Sequence, residues 1–142
     1  MSDLEYRRGE YCVSTSKSKL DLPLIHGFLC HSSYWARGRP FAVVEESIQH
    51  SMCFGAYVDR TQIGFARVVT DQATFAWLCD VFVVDSHRNR GLSKWLVECV
   101  VAHPTLRNVS RFVLATRDAH DLYRRYGGFE TLPHPQWWMT RR

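Results

Sequence analysis

The chain has 142 residues, of which 46% are hydrophobic and 13% aromatic, so it can bury one core but hardly two. We therefore expect one domain over residues 1–142. The net charge is +4, but the Lys and Arg residues are spread along the chain and lack the dense clustering of a nucleic-acid-binding protein. No stretch approaches the roughly 18 apolar residues of a membrane span. These features predict a protein that binds neither nucleic acid nor membrane.

The five cysteines are odd in number and form no C-x-x-C pair, which argues against a disulfide framework and a zinc ribbon. The histidines show no H-E-x-x-H spacing, so no metal is predicted. The polar N-terminus lacks the apolar segment of a signal peptide. Together these features predict a cytoplasmic protein with reduced thiols.

The first half of the chain predicts one strand, two helices and a hairpin. The strand lies at residues 11–15, one helix begins near Asp21 and the next begins after Pro40. Residues 52–58 and 63–70 then read as an antiparallel hairpin around a short polar turn.

The second half begins with residues 75–84, which are apolar on both faces and therefore predict a central strand covered by helices. Asp80 is its only charge. The next helix carries apolar residues at the spacing of one helix face, and Pro104 bounds it. That face is Leu92, Trp95, Leu96, Cys99 and Val100.

Three further elements complete the predicted fold. Residues 111–116 form a strand, Asp118 caps a helix over 119–126, and residues 136–140 form a last strand. The predicted order is β-α-α-β-β-β-α-β-α-β. This is an α/β fold with a mixed, mostly antiparallel sheet and about four helices on its two faces.

A basic, glycine-containing loop, Arg88-Asn89-Arg90-Gly91, joins the central strand to the following helix. The first turn of a helix leaves backbone N–H groups without partners and carries the positive end of the helix dipole. Glycine allows close approach to the backbone, and arginine donates to phosphate oxygens. The loop therefore predicts a phosphate or pyrophosphate site, with a solvated basic turn as the alternative. Neither the P-loop nor the dinucleotide-binding glycine pattern occurs.

The loop and a second motif, DAHDLYRRYGGFE at residues 118–130, together resemble the GNAT superfamily of N-acetyltransferases. The family motif [RQ]-x-x-G-x-[GA] is matched by residues 88–93, with Ser93 replacing the usual Gly or Ala. The resemblance implies a GNAT-like fold and acetyl-CoA as cosubstrate, without a metal. The implied cofactor-binding residues are Phe82, Val83, Val84, Arg88, Asn89, Arg90, Gly91, Leu92, Ser93 and Lys94.

The resemblance also implies the reaction: an amine attacks the acetyl thioester directly, and a tyrosine protonates the departing thiolate. Tyr123 occupies the tyrosine position, with Tyr126 in reserve. Asp80 is the best-placed acid to accept the amine proton, and the alternative is that it holds an arginine such as Arg67 in place. Many family members carry Glu where this chain has Cys79, and no neighbour in sequence activates that thiol as a nucleophile.

The acceptor is predicted to be a small-molecule amine or a peptide amine with an apolar body. Its candidate binding residues are Tyr34, Trp35, Glu45 and Glu46, with Trp137 and Trp138 near the end of the chain. A non-catalytic domain that only binds CoA is the alternative function. The oligomeric state is left open between a monomer and a homodimer.

Overall fold

The computed structural model describes residues 3–142. Over these residues six strands form one sheet, and four α-helices pack on it. The strands are β1 (Glu5–Arg8), β2 (Tyr11–Ser14), β3 (Met52–Val58), β4 (Thr61–Thr70), β5 (Phe75–Val83) and β6 (Arg111–Leu114). The helices are α1 (Leu22–Gly27), α2 (Phe41–Gln49), α3 (Leu92–Ala102) and α4 (His120–Gly127). None of the helices in this part of the chain has the length and apolar character to cross a membrane.

The strands lie in the sheet in chain order, from β1 to β6. Every neighbouring pair is antiparallel except β5 and β6, which run parallel. The prediction of a mixed, mostly antiparallel sheet is confirmed. Helices cover both faces: α1 and α2 bury Ile25 and Val44 on one, and α3 buries Leu96 and Val100 on the other.

Both ends of the predicted order are wrong. The structure adds β1, whose residues Glu-Tyr-Arg-Arg are too polar to predict a buried strand. The strand predicted at residues 136–140 is absent, and Pro135–Trp137 forms one turn of 3₁₀ helix instead. Proline suits the first position of a helical turn because its φ is fixed and its missing N–H is not needed there. Within residues 3–142, β6 is therefore an edge strand.

Two aspartates near predicted helix starts differ in role. Asp21, near which a helix is predicted to begin, caps α1, since its carboxylate accepts the Leu24 N–H at 3.0 Å. Asp118 does not cap α4: Ala119 is the N-cap residue, and its N–H donates to Thr116 Oγ1 at 3.1 Å. The threonine hydroxyl satisfies a backbone donor at this turn, so the aspartate has no capping role there.

A β-bulge at Asp80 interrupts the alternation of β5. Phe65 pairs with Phe82, but Arg67 pairs with Cys79, and Asp80 has a positive φ of 54°. The extra residue reverses the facing of the strand beyond it. Cys79 faces the same side as its partner Arg67, and after the bulge Phe82 again packs with the core beneath α1 and α2. The carboxylate of Asp80 also reaches Arg67, so two consecutive side chains project on this face.

The last feature that shapes the site is a gap between β5 and β6. Their pairing ends at Leu78 and Leu114, whereas β5 continues to Val83. Beyond Leu78 the strands separate, so one edge of β5 is open to a space between them.

Candidate active site

A cleft of about 1410 Å³ opens where β5 and β6 separate, and both sequence motifs line it. The predicted residues that it brings together are Tyr34, Trp35, Asp80, Phe82, Val83, Arg88, Asn89, Gly91, Leu92, Ser93, Lys94 and Tyr123. The predicted residues Glu45, Glu46, Val84 and Arg90 are not part of its lining. Glu45 and Glu46 are exposed on α2.

The Arg88–Ser93 loop presents backbone donors at the start of α3. Gly91 is the N-cap residue, has no side chain to cap the helix, and accepts the first helical bond from Trp95 N–H at 3.1 Å. The N–H groups of Leu92–Lys94 are therefore the donors that a first turn leaves for a ligand. Gly91 has φ 74°, which favours glycine, and the space where a Cβ would lie is open.

The two arginines of the loop point to different partners. Arg88 Nε donates to the Val83 carbonyl at 3.3 Å, and its Nη1 lies 3.0 Å from the Asp85 carboxylate. Arg90 Nη1 instead donates to the Tyr11 hydroxyl at 3.2 Å, outside the cleft lining. Arg88 is thus the arginine of this loop that faces the cleft.

The peptide group between Phe82 and Val83 directs an N–H into the cleft. The Phe82 carbonyl faces β4, since it would lie 3.2 Å from a Cβ added to Gly64. The described chain has no cis peptide, so the Val83 N–H points the opposite way, toward the gap between β5 and β6. The peptide group between Val83 and Val84 has the orientation expected from this alternation. Its N–H, on Val84, donates to the Ile63 carbonyl of β4 at 2.9 Å, and its carbonyl, on Val83, faces Arg88.

Tyr123 lies on α4 in the cleft lining, which also includes residues of the Arg88–Ser93 loop. Burial raises the pKa of its hydroxyl to about 12, with smaller contributions from the nearby Tyr34, Asp118 and Cys79. The side chain therefore holds its proton throughout the neutral range. Tyr126 is not part of the lining, and its ring lies 5.3 Å from Lys94 Nζ.

Asp80 is held by three donors, two from the loop before α2 and one from β4. Its Oδ1 accepts from Trp35 Nε1 at 2.8 Å, and its Oδ2 accepts from Arg39 Nη1 at 3.0 Å and Arg67 Nε at 2.8 Å. The Asp80 side chain is only 2% exposed. The arginine contact that sequence reasoning left as an alternative is therefore present. A buried carboxylate shared by two guanidinium groups fixes the positions of its partners.

Cys79 lies beside this cluster as a neutral thiol. Burial raises its pKa to about 11, and the nearby Arg67 offsets only part of that effect. All five cysteines are free. A protonated thiol is a poor nucleophile, which disfavours transfer of an acetyl group through Cys79.

A contact between Tyr34 and Arg117 bridges the cleft. The Arg117 N–H donates to the Tyr34 hydroxyl at 2.8 Å, and the Arg117 guanidinium lies 3.9 Å from the centre of the Tyr34 ring. Tyr34 precedes α2 and Arg117 follows β6, so the contact joins two loops that both contribute to the cleft lining.

Sequence reasoning missed several residues of the lining, among them Arg39, Val69 and Trp77. Val69 and Trp77 pair across β4 and β5 and are 43% and 47% exposed. The strands that carry Val69 and Trp77 are apolar and are predicted to be buried. The one residue that could indicate an exposed surface is the large Trp77, which lies beside the gap. Trp137 and Trp138 are not part of the lining, and Trp137 stacks on His134.

Residues 22–129 match the Acetyltransferase (GNAT) family. The chain belongs to this family. The fold and the predicted resemblance are thereby confirmed, and the protein is an acetyltransferase of the GNAT type. Among residues 3–142, no three His, Cys, Asp or Glu side chains are grouped so that they could hold a metal ion.

Three similar proteins accompany the family match. A protein from Xanthomonas campestris pv. campestris assigned to that family has a crystal structure with TM-score 0.90 and 51% identity, over 94% of each chain. A protein from Gibberella zeae assigned as an acetyltransferase is 28% identical over 141 residues, covering 83% of this chain and 78% of that protein. AAC(6')-Iy, solved with the bisubstrate analogue CoA-S-monomethyl-acetylneamine, has TM-score 0.64 at 22% identity, covering 94% of this chain and 100% of that chain. The last likeness is one of fold.

Proposed function

We propose that this protein is an acetyl-CoA-dependent N-acetyltransferase that acts on a primary amine by direct attack. The observation that carries the proposal is the shared cleft, which the Arg88–Ser93 loop and Tyr123 line from different elements. The anion-binding and proton-donating groups of one reaction therefore face one space.

The residues present fit acetyl-CoA. The N–H groups of Leu92–Lys94, the Arg88 guanidinium and the open space at Gly91 form a cradle for a pyrophosphate. The unpaired edge of β5 offers backbone groups, including the Val83 N–H, to an amide-containing chain. Bound there, acetyl-CoA supplies an acetyl group activated as a thioester.

Two groups of the chain serve the chemical step. The Val83 N–H is the donor placed to stabilise negative charge on the acetyl oxygen as the amine attacks. Tyr123, which retains its proton, donates it to the departing thiolate as the C–S bond breaks. The proton lost by the attacking nitrogen passes to solvent, and the Tyr123 oxygen regains a proton from solvent. The acceptor enters from the side of Tyr34 and Trp35, and Asp80 serves by holding Trp35, Arg39 and Arg67 in position.

Replacement of Tyr123 tests the chemical half of the proposal. In a panel of primary amines with acetyl-CoA, followed by thiol release, Tyr123→Phe is expected to lower kcat by about a hundredfold or more. Tyr126→Phe keeps a tyrosine at position 123 and is the matched control, with kcat unchanged. The thermal shift given by acetyl-CoA is retained in both variants.

An unchanged kcat in Tyr123→Phe would remove the general acid from the proposal. Binding of acetyl-CoA without turnover of any amine by the unmodified protein would instead support the non-catalytic CoA-binding alternative.

A further inference from the structure

We propose that the acceptor amine also carries a carboxylate, together with an apolar or aromatic body. The inference rests on the proposed N-acetyltransferase function and specifies the substrate class of the same cleft. It comes from one surface, here called the acceptor face, which consists of Trp35, Arg39, Arg67, Val69, Trp77 and Asp80.

The carboxylate on the acceptor face is already engaged. Both oxygens of Asp80 accept hydrogen bonds from the protein, and the side chain is almost fully buried. Asp80 is therefore not available to pair with a cationic substrate. Two guanidinium groups face this single carboxylate, which leaves the acceptor face with an excess positive charge.

Arg39 is the cation best placed to meet a ligand. Only its Nη1 donates to a side chain within residues 3–142, and 24% of its side chain is exposed in the cleft. Arg67 is more enclosed at 13% and uses Nε for Asp80 and Nη1 for Ser51. The remaining Arg39 donors, Nε and Nη2, form a planar fork of the kind that binds a carboxylate through two hydrogen bonds.

The apolar part of the acceptor face adjoins these charges. Val69 and Trp77 pair across β4 and β5 on the same side of the sheet as Arg67, and neither is covered by a helix. Trp35 adds a second aromatic ring beside Asp80. Exposed apolar side chains that line a cleft favour a ligand with an aliphatic or aromatic group.

The two features together define the acceptor. An amine with a carboxylate and an apolar body satisfies both Arg39 and Trp77. A polyamine or aminoglycoside brings several positive charges to a face that already carries an excess of them, and is disfavoured.

Matched acceptors that differ only in the carboxylate test the proposal. The pairs are L-phenylalanine with phenethylamine, L-tryptophan with tryptamine, and glycyl-L-phenylalanine with glycine phenethylamide. With saturating acetyl-CoA, kcat/KM is expected to be about tenfold or more higher for the carboxylate-bearing member of at least one pair.

Arg39→Gln assigns the preference to the proposed group. It is expected to lower kcat/KM for the carboxylate-bearing acceptor by about tenfold, mainly through KM, and to change the decarboxylated partner by less than about twofold. Arg60→Gln removes one exposed cation outside the cleft lining and is the matched control, which alters neither value. A binding readout uses 3-phenylpropanoate, which should stabilise the CoA-bound protein and fail to do so in Arg39→Gln.

The outcomes separate this inference from the proposed function. Three results would overturn the inference. The first is equal or better turnover of the decarboxylated amines, and the second is an equal loss for both members of a pair in Arg39→Gln. The third is that the protein neither turns over a carboxylate-bearing amine nor binds 3-phenylpropanoate. In each of these cases a retained thermal shift with acetyl-CoA leaves the cofactor site intact. If acetyl-CoA gives no thermal shift in the unmodified protein, the proposed function itself is overturned.

Discussion

Tyr123 shows how the surroundings of a single residue change the pKa of its side chain. In sequence it is one tyrosine of a short amphipathic helix. In the structure it is partly buried in the cleft lining, and that burial disfavours the phenolate. In the proposed reaction this neutral phenol is the acid; an ordinary tyrosine is also protonated at neutral pH, and burial strengthens its hold on the proton.

The raised pKa predicts how Tyr123 titrates. Burial favours the neutral form, so the hydroxyl should ionise near pH 12 instead of at its ordinary value of about 10. At pH 10 about half of an ordinary tyrosine is ionised, but only about a hundredth of a group with pKa 12. The measurement is the tyrosinate absorbance of the unmodified protein minus that of Tyr123→Phe. We expect no step near pH 10, and a full one-residue step there would contradict the assigned environment.

At the scale of elements, the bulge in β5 determines which side chains lie on the acceptor face. It brings Asp80 to the same face as Cys79, toward Arg67. A regular strand would direct residue 80 to the opposite face, under α3. The positive φ that this geometry requires is one that aspartate and asparagine adopt more readily than most residues.

Asp80→Asn tests whether the carboxylate holds the acceptor face together. Asparagine accepts the same backbone conformation but leaves Arg67 and Arg39 without their counterion, so the free energy of unfolding should fall by about 3–5 kcal/mol. Asp59→Asn, at an exposed turn residue with φ 53°, is the matched control and should change the unfolding free energy by less than about 0.5 kcal/mol. Urea unfolding gives both values. An unchanged stability of Asp80→Asn with lost turnover would favour a direct role as base.

The elements that could be predicted from the sequence are those with strong local signals. The hairpin of β3 and β4, the apolar β5 and the amphipathic α3 all depend on periodicity, which short segments display by themselves. The bulge at Asp80 and the separation of β5 from β6 depend on long-range pairing, which periodicity does not contain. Arg39 and Trp77 were missed for the same reason. Only the fold brings Arg39, in the loop before α2, beside β5, the strand that carries Trp77.

The errors have local causes. The aromatic run Gln136-Trp137-Trp138 resembles a strand, but Pro135 starts a helical turn and Trp137 stacks on His134. Asp118 precedes α4 as a capping residue would, but the N-cap residue is Ala119, and its N–H donates to the Thr116 hydroxyl. In each case a nearby group competed with the predicted interaction.

At the scale of the whole molecule, we propose that the Arg88–Ser93 loop and Tyr123 serve one acetyl-CoA site. Thermal unfolding with and without acetyl-CoA tests it directly in the unmodified protein, in Gly91→Glu and in Gly9→Glu. Both glycines have a positive φ and open space at the Cβ position, so both variants should lose about 1–2 kcal/mol to backbone strain. Only Gly91→Glu places a carboxylate at the predicted phosphate cradle.

At about 100 times its Kd, acetyl-CoA should stabilise the unmodified protein by about 2.7 kcal/mol, which raises its Tm by several degrees. We expect the same rise in Gly9→Glu and none in Gly91→Glu. A rise that persists in Gly91→Glu would place acetyl-CoA elsewhere, and no rise in the unmodified protein at millimolar acetyl-CoA would contradict the proposed function itself.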